Sequence, residues 1–213
     1  MKVFLVRHAQ STANADRILG GTLDYDLTEV GRRQAERVAA FLAGKLFTAI
    51  YSSPVKRAMM TAEPIANALS LPIVIDPRLT EVDVGELTGM SVEEAMTRFG
   101  DLIRSLPRHP ERGFPGGERE VDVMNRSASF ADDIVARHKP DHESVIVVSH
   151  ALTISYLMHR LLDLPMDAVF RFTMDNAAYS LVDLTRSYPR LTEHNVRMHL
   201  DDRESDVENQ LER

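Results

Sequence analysis

Lys2-Val3-Phe4-Leu5-Val6-Arg7-His8 decides how this 213-residue chain is read. Residues 3–6 are apolar without a break and are followed by polar residues, the pattern of a short strand buried in a sheet. The run ends on a permanent cation and a titratable imidazole. Neither belongs in a core without partners. In an open α/β sheet, ligands bind at the carboxyl ends of the strands. A His beside an Arg there can attack an electrophile whose negative charge the Arg holds, which points to a phosphoryl group.

Further apolar runs read as strands at 49–52, 73–75, 145–149 and 179–182, with a weaker edge candidate at 196–200. Helical patterns fall between them. Ala35, Val38, Ala39 and Leu42 form one stripe, with Thr28 as N-cap, Glu29 in the first turn and Gly44 at the end. Ser53-Pro54 reads as an N-cap followed by proline at the first helical position. Ala58, Thr61, Ala62, Ile65 and Leu69 then form the inner face, and Arg57 is the fourth residue. Val121, Met124, Ala128, Ala131 and Val135 form another stripe, and residues 152–162 are apolar almost all round. Strands alternating with helices predict a three-layer α/β/α sandwich with a mostly parallel sheet. Residues 76–119, rich in proline and ending among Gly113, Gly116 and Gly117, read as a small insertion over the carboxyl edge of the sheet, with one short helix near 92–99. Residues 1–200 are expected to form a single domain, and 201–213 a charged, flexible tail.

Hydrophobic content of 44% and charged content of 27% suit a soluble globular protein. A net charge of −7 argues against nucleic acid or an anionic membrane as partner. It leaves room for a small anionic substrate in a locally basic cleft. No apolar stretch approaches the roughly 18 residues of a membrane span. With no cysteine and no signal-like start, the expectation is a cytoplasmic protein. Oligomeric state is left open, a homodimer included.

Two strand ends carry a histidine, Val6-Arg7-His8 and Val148-Ser149-His150, and a third leads into the helix that bears Arg57. In a parallel sheet all three reach one edge. A lone His at a strand end is commonly a hydrogen-bonded structural residue, and a lone Arg a surface ion-pair partner. Their convergence from unlinked elements carries the functional reading. The helix after His150 also brings backbone N–H groups that could face an anion. Other catalytic formulas are missing: there is no Walker loop, dinucleotide turn or nucleophile elbow. Ser149 and His150 are adjacent on a strand and face opposite ways, a poor hydrolase pair.

Leu5-Val6-Arg7-His8-Ala9-Gln10-Ser11 with Asn14 resembles the opening motif of the histidine phosphatase superfamily, the phosphoglycerate mutase-like proteins. Gly21, Asp24, Leu27-Thr28, Gly31 and Gln34-Ala35 continue that likeness. Ser52-Ser53, Arg57-Ala58 and Thr61 follow, then Leu79, Glu81, Gly85 and Gly89, then Ser149-His150, then Asn176-Ala177-Ala178, in order along nearly the whole chain. The resemblance implies an acid-type phosphatase hydrolysing a small phosphorylated metabolite, with His8 as nucleophile and Arg7, Arg57 and His150 around the phosphoryl oxygens. Asn14, Gly21 and Ala151 would line the phosphate site. Glu81 would protonate the leaving oxygen and then help activate water. Asp83 and Glu86 are rival acids by sequence alone, and the family pattern favours Glu81. No cofactor is implied, and two arginines in the pocket would repel a divalent metal ion.

Departures bear on the substrate. Ala9 and Ala151 stand where the family often has Gly, and each is expected to add a methyl beside the pocket. Gln10 replaces a common Glu, removing a negative charge near the phosphate. Gly20 and Asp26 also depart from the usual Gln and Pro. The compact segment ending in Phe114-Pro115-Gly116-Gly117-Glu118 is similar to the phosphatase branch, while a mutase-type isomerase and a non-catalytic phospho-ligand binder remain the alternatives. Arg119 either meets a second anionic group of the substrate or pairs with an acid on the next helix, and pairing is the favoured reading. His109 could reach substrate from the insertion. The ten Met residues read mainly as core filling.

Overall fold

A computed structural model describes residues 1–106, 109, 111–139, 143–165 and 172–200. Pro107, Arg108, Pro110, His142 and the charged tail at 201–213 lie outside the described residues. Six strands, β1 (Lys2–Arg7), β2 (Ala49–Ser52), β3 (Ile73–Ile75), β4 (Ser144–Ser149), β5 (Tyr179–Asp183) and β6 (Arg190–Val196), form one sheet in the order β3-β2-β4-β1-β5-β6. The pairs β1–β4, β4–β2 and β2–β3 are parallel; β5 runs antiparallel to both β1 and β6. The sheet is therefore mostly parallel, as expected.

Alternation along the central strands makes two cores. On one face Val3, Leu5, Val145 and Val147 pack with Phe130, Ala131 and Ile134 of helix α5 (Glu120–Arg137), and with Ile154, Leu157 and Met158 of α6 (Ala151–Leu161). On the other, Phe4, Val6, Ile146 and Val148 pack with Val38, Ala39 and Leu42 of α2 (Glu29–Leu42), and with Ala58, Ala62 and Ile65 of α3 (Lys56–Leu69). Both faces of β1 and β4 are buried, so these strands read as unbroken apolar runs. Two helical layers thus enclose the sheet.

Residues 76–119 hold two 3₁₀ turns (Pro77–Leu79 and Gly85–Leu87) and α4 (Val92–Ser105). Val82, Val84, Leu87, Ala95 and Ile103 pack there on Val123 of α5 and Tyr156 of α6, forming a third cluster. The loop is held tight where Gly85 passes Pro115: a Cβ at Gly85, whose φ is +52°, would lie 2.1 Å from the Pro115 carbonyl oxygen. Among the described residues no helix is long and apolar enough to cross a membrane.

Several boundaries differ from expectation. The edge strand β6 ends at Val196, where the expected one began, because this half-exposed antiparallel edge is mostly polar, alternating in exposure instead of forming an apolar run. α3 begins two residues after Pro54 with Val55 as N-cap, so Arg57 is its second residue. Ser53 accepts the Val55 N–H at 3.3 Å ahead of the helix. α4 runs through a buried Gly100 to Ser105, well beyond residue 99. In α5 the buried face is Glu120, Val123, Ser127, Phe130, Ala131 and Ile134, about one residue out of phase with the expected stripe, and Val135 is exposed.

Candidate active site

The register of β1 on β4 builds the site. Arg7 pairs with Ser149, so the residues that follow, His8 and His150, leave neighbouring strand ends together. The His8 N–H donates to the Ser149 carbonyl at 2.9 Å, and the two imidazole centroids are 5.0 Å apart. Ser53, just past β2, donates its N–H to the Val148 carbonyl. Its hydroxyl lies 2.8 Å from His150 Nε2.

His8 is 4% exposed. Its Nδ1 is 2.8 Å from the Ala9 carbonyl oxygen, which can only accept, so Nδ1 carries the ring proton. Nε2 is then the lone-pair nitrogen, and it accepts from Arg57 Nε at 3.2 Å. Burial, reinforced by Arg57 and Arg7, pushes His8 well below its ordinary value of 6.5. Burial, with Arg57, His8 and Arg7 adding to it, does the same to His150. Both rings are therefore neutral at pH 7.

Arg57 is spread over the mouth of the site by its other two nitrogens. Nη1 donates to the Leu23 carbonyl at 2.9 Å and Nη2 to the Gly21 carbonyl at 2.7 Å. Gly21 holds φ +48°, a conformation that suits glycine, and so presents that carbonyl. Arg7 donates through Nη1 to the Met174 carbonyl, and its Nε is buried without a partner. Burial lowers the pKa of both arginines, and Glu81 is the foremost charge opposing that effect.

Glu81 sits at the N-terminus of α6. Its carboxylate accepts from the Val82 N–H at 3.1 Å, the Thr153 N–H and hydroxyl at 3.3 Å each, and the Leu152 N–H at 3.4 Å. Two of the helix N–H groups that could face an anion, those of Leu152 and Thr153, are thus turned to a carboxylate of the protein. Arg126 of α5 holds the Glu81 carbonyl at 3.2 Å and forks onto Glu118 at 3.0 and 3.1 Å, fixing the loop that carries Glu81. Of the rival acids, Asp83 accepts the Gly85 N–H at 2.9 Å, and neither it nor Glu86 lines the cavity.

A cavity of about 160 Å³ opens over these residues. Arg7, His8, Asn14, Gly21, Arg57, Glu81 and Ala151 all line it, while His150 stands beneath, fully buried, against His8. Asn14 Oδ1 accepts from the Ser11 N–H and hydroxyl and from Asn176 Nδ2, which also holds the His8 carbonyl. The far wall is apolar: Val82, Val84, Ile103, Leu106 and Phe114. Among the described residues no group of three His, Asp or Glu is placed to hold a metal ion.

Some expected features lie elsewhere. The Ala9 methyl packs with Leu27, Ala35 and Ala177 in the core. Gln10 accepts from the Thr28 hydroxyl at 2.7 Å, so its side chain supports the start of α2 instead of facing the phosphate site. Arg119 forks onto Asp122 at 2.8 Å, and His109 pairs with Glu111. Ser149 donates to the Leu79 carbonyl at 2.7 Å, away from His150. One charged lining residue was not anticipated: Glu120, 1% exposed, with Oε2 buried and unpartnered. The phase set by Val123, Phe130, Ala131 and Ile134 is the signal that turns it inward.

The sequence profile of the histidine phosphatase superfamily (branch 1) matches residues 3–197. Phosphoserine phosphatase 1 of Hydrogenobacter thermophilus is 35% identical over 201 residues, 94% of each chain. A Proteus mirabilis protein named "Probable phosphoglycerate mutase GpmB" is 34% identical over 88% of this chain and 86% of its own. The mycobacterial glucosyl-3-phosphoglycerate phosphatase solved with inorganic phosphate superposes with a TM-score of 0.81 at 27% identity, over 94% of this chain and 99% of that one.

Proposed function

The chain belongs to the histidine phosphatase superfamily, and from that premise we propose that it is a metal-independent phosphomonoesterase working through a phosphohistidine on His8. The observation that carries this reading is the His8 ring. Its proton is held on Nδ1 by the Ala9 carbonyl, and its Nε2 lone pair faces Arg57 at the cavity floor. In the first half-reaction Nε2 attacks phosphorus, the bond from phosphorus to the ester oxygen breaks, and the proton on Glu81 passes to that oxygen. In the second half, the Glu81 carboxylate takes a proton from water and the water oxygen bonds to phosphorus. The Nε2–phosphorus bond then breaks, releasing phosphate and leaving Glu81 protonated.

Arg7 and Arg57 supply the fixed positive charge that the transferring phosphoryl group needs, the role a metal ion fills elsewhere. In the tautomer in which the Ser53 hydroxyl donates to His150 Nε2, the otherwise unpartnered Nδ1 carries the ring proton and is the atom that would reach up to the phosphoryl group from beneath the cavity. A base kept neutral far into the acid range supports the acid-type assignment.

The cavity favours hydrolysis over isomerisation. A mutase has to bind a second phosphate, and Arg7 and Arg57 are the only Arg or Lys among the described lining residues. Beyond them the described lining is largely apolar, with a few uncharged polar side chains and the carboxyls of Glu81 and Glu120, which would repel a second anion. A screen of small phosphomonoesters tests the reading, with O-phosphoserine first after the name of the H. thermophilus relative. Release of inorganic phosphate without a metal ion is expected. Interconversion of phosphoglycerates that depends on a bisphosphorylated primer, with little hydrolysis, would establish the isomerase instead.

A further inference from the structure

We propose that Glu120 is a specificity-determining residue whose carboxylate binds an ammonium group on the leaving alcohol, so that amino-alcohol phosphates are the favoured substrate class. The proposal rests on the phosphatase reading and deepens it.

Glu120 is the first residue of α5 and projects into the same cavity as His8, Arg7, Arg57 and Glu81. Its position at a helix start is favourable for an acid, and the helix has no side-chain cap from its N-cap residue Arg119. Oε2 is buried with no hydrogen-bond partner, and so is the hydroxyl of the neighbouring Tyr156. A buried carboxyl is normally paired with a cation or fully hydrogen-bonded. Among the described residues no cation is paired with Glu120. Burial pushes its pKa up to about 7.

The phosphoryl cage occupies one end of the cavity and Ile103, Leu106 and Phe114 line its wall. Among the described lining residues, a leaving group that extends from the cage past that wall meets one charged side chain other than Glu81, that of Glu120, beside the Ser155 and Thr173 side chains, and its Oε2 is an acceptor without a donor. An ammonium group supplies both the charge and the hydrogen bonds, and draws Glu120 into its ionised form. A charge-assisted contact of this kind discriminates by roughly tenfold or more.

Three phosphate esters of equal chain length isolate the effect: O-phosphoethanolamine, 2-hydroxyethyl phosphate and propyl phosphate, ending in ammonium, hydroxyl and methyl. For the intact protein, kcat/KM for the ammonium ester is expected to exceed that for the methyl ester by at least about tenfold. Glu120→Gln should remove most of that preference and leave propyl phosphate hydrolysis within about threefold, with a thermal melt confirming that the variant folds. A measurement on the unmodified protein backs this up: ethanolamine should inhibit competitively at lower concentration than 1-propanol. An unchanged ratio in Glu120→Gln, an initial preference for the methyl ester, no hydrolysis of the ammonium ester, or equal inhibition by the two alcohols overturns the assignment. If propyl phosphate or other monoesters are still hydrolysed, only the role of Glu120 falls. If no phosphomonoester is hydrolysed, the phosphatase reading falls with it.

Discussion

The Ala9 carbonyl decides what His8 can do. By holding the proton on Nδ1 it leaves Nε2 as the nitrogen that attacks in the proposed mechanism, and burial between two arginines keeps that nitrogen unprotonated. The pH profile of kcat/KM should therefore keep its rate below pH 6.5, with the acid limb lying under the ordinary histidine value. An acid limb centred at or above 6.5 would contradict the assignment. Arg57→Lys replaces a fork that reaches Leu23, Gly21 and His8 with a single point charge. A loss of roughly 10²–10³ in kcat is expected, typical of removing one fixed donor aimed at developing charge. Glu81→Gln should slow hydrolysis of alkyl phosphates by about 10²–10⁴. An aryl ester such as 4-nitrophenyl phosphate, whose leaving oxygen needs no proton, should lose far less in its first step, measured as the burst of nitrophenol. Equal losses in that step for the two ester types would remove Glu81 as the acid.

Elements bring these residues together, and their legibility follows from their environment. The central strands were readable because burial on both faces demands an unbroken apolar run, and β2 matched the expected bounds; β3 matched too, although it is an edge strand with Val74 and Ile75 exposed, because its three residues are all apolar. β6 was misplaced because a half-exposed edge carries no such run. The phase of α5 was misread because Val121, Met124 and Ala128 are apolar although only half-buried, while Glu120 and Ser127 take buried positions. A reading that assigns polar residues to the outside necessarily hides an inward-facing carboxyl. Sequence similarly gave no sign that Gln10 turns to Thr28, since that contact depends on α2 approaching β1. Gly31 records how close that approach is: a Cβ there would lie 2.0 Å from the Gln10 carbonyl oxygen. Gly31→Ala should cost at least about 2 kcal/mol in a denaturant titration, as overpacking against rigid backbone does. A change under ~0.5 kcal/mol would mean that the helix shifts freely.

At the scale of the whole molecule, the site is held at some cost to stability in acid. His8 and His150 are neutral in the folded state well below 6.5, whereas the unfolded chain protonates them near that value. The unfolded state then binds more protons, so stability falls as pH drops below about 6.5, by up to ~1.4 kcal/mol per pH unit for each histidine. Glu120 acts in the opposite sense between about 4.5 and 7, because its folded form keeps a proton that the unfolded form loses. Urea titrations from pH 7 to pH 5 should show a net loss of stability, and Glu120→Gln should make it steeper. A stability that rises on acidification across that interval would contradict buried, neutral imidazoles.

The chemistry of the whole protein is tested most directly by trapping the proposed phosphohistidine. Rapid quenching during turnover of a phosphate-labelled substrate should give protein-bound label that survives base and is lost in acid. That label should map to His8 and be absent from His8→Ala, which should not turn over. Full phosphatase turnover by His8→Ala would contradict the account at its centre.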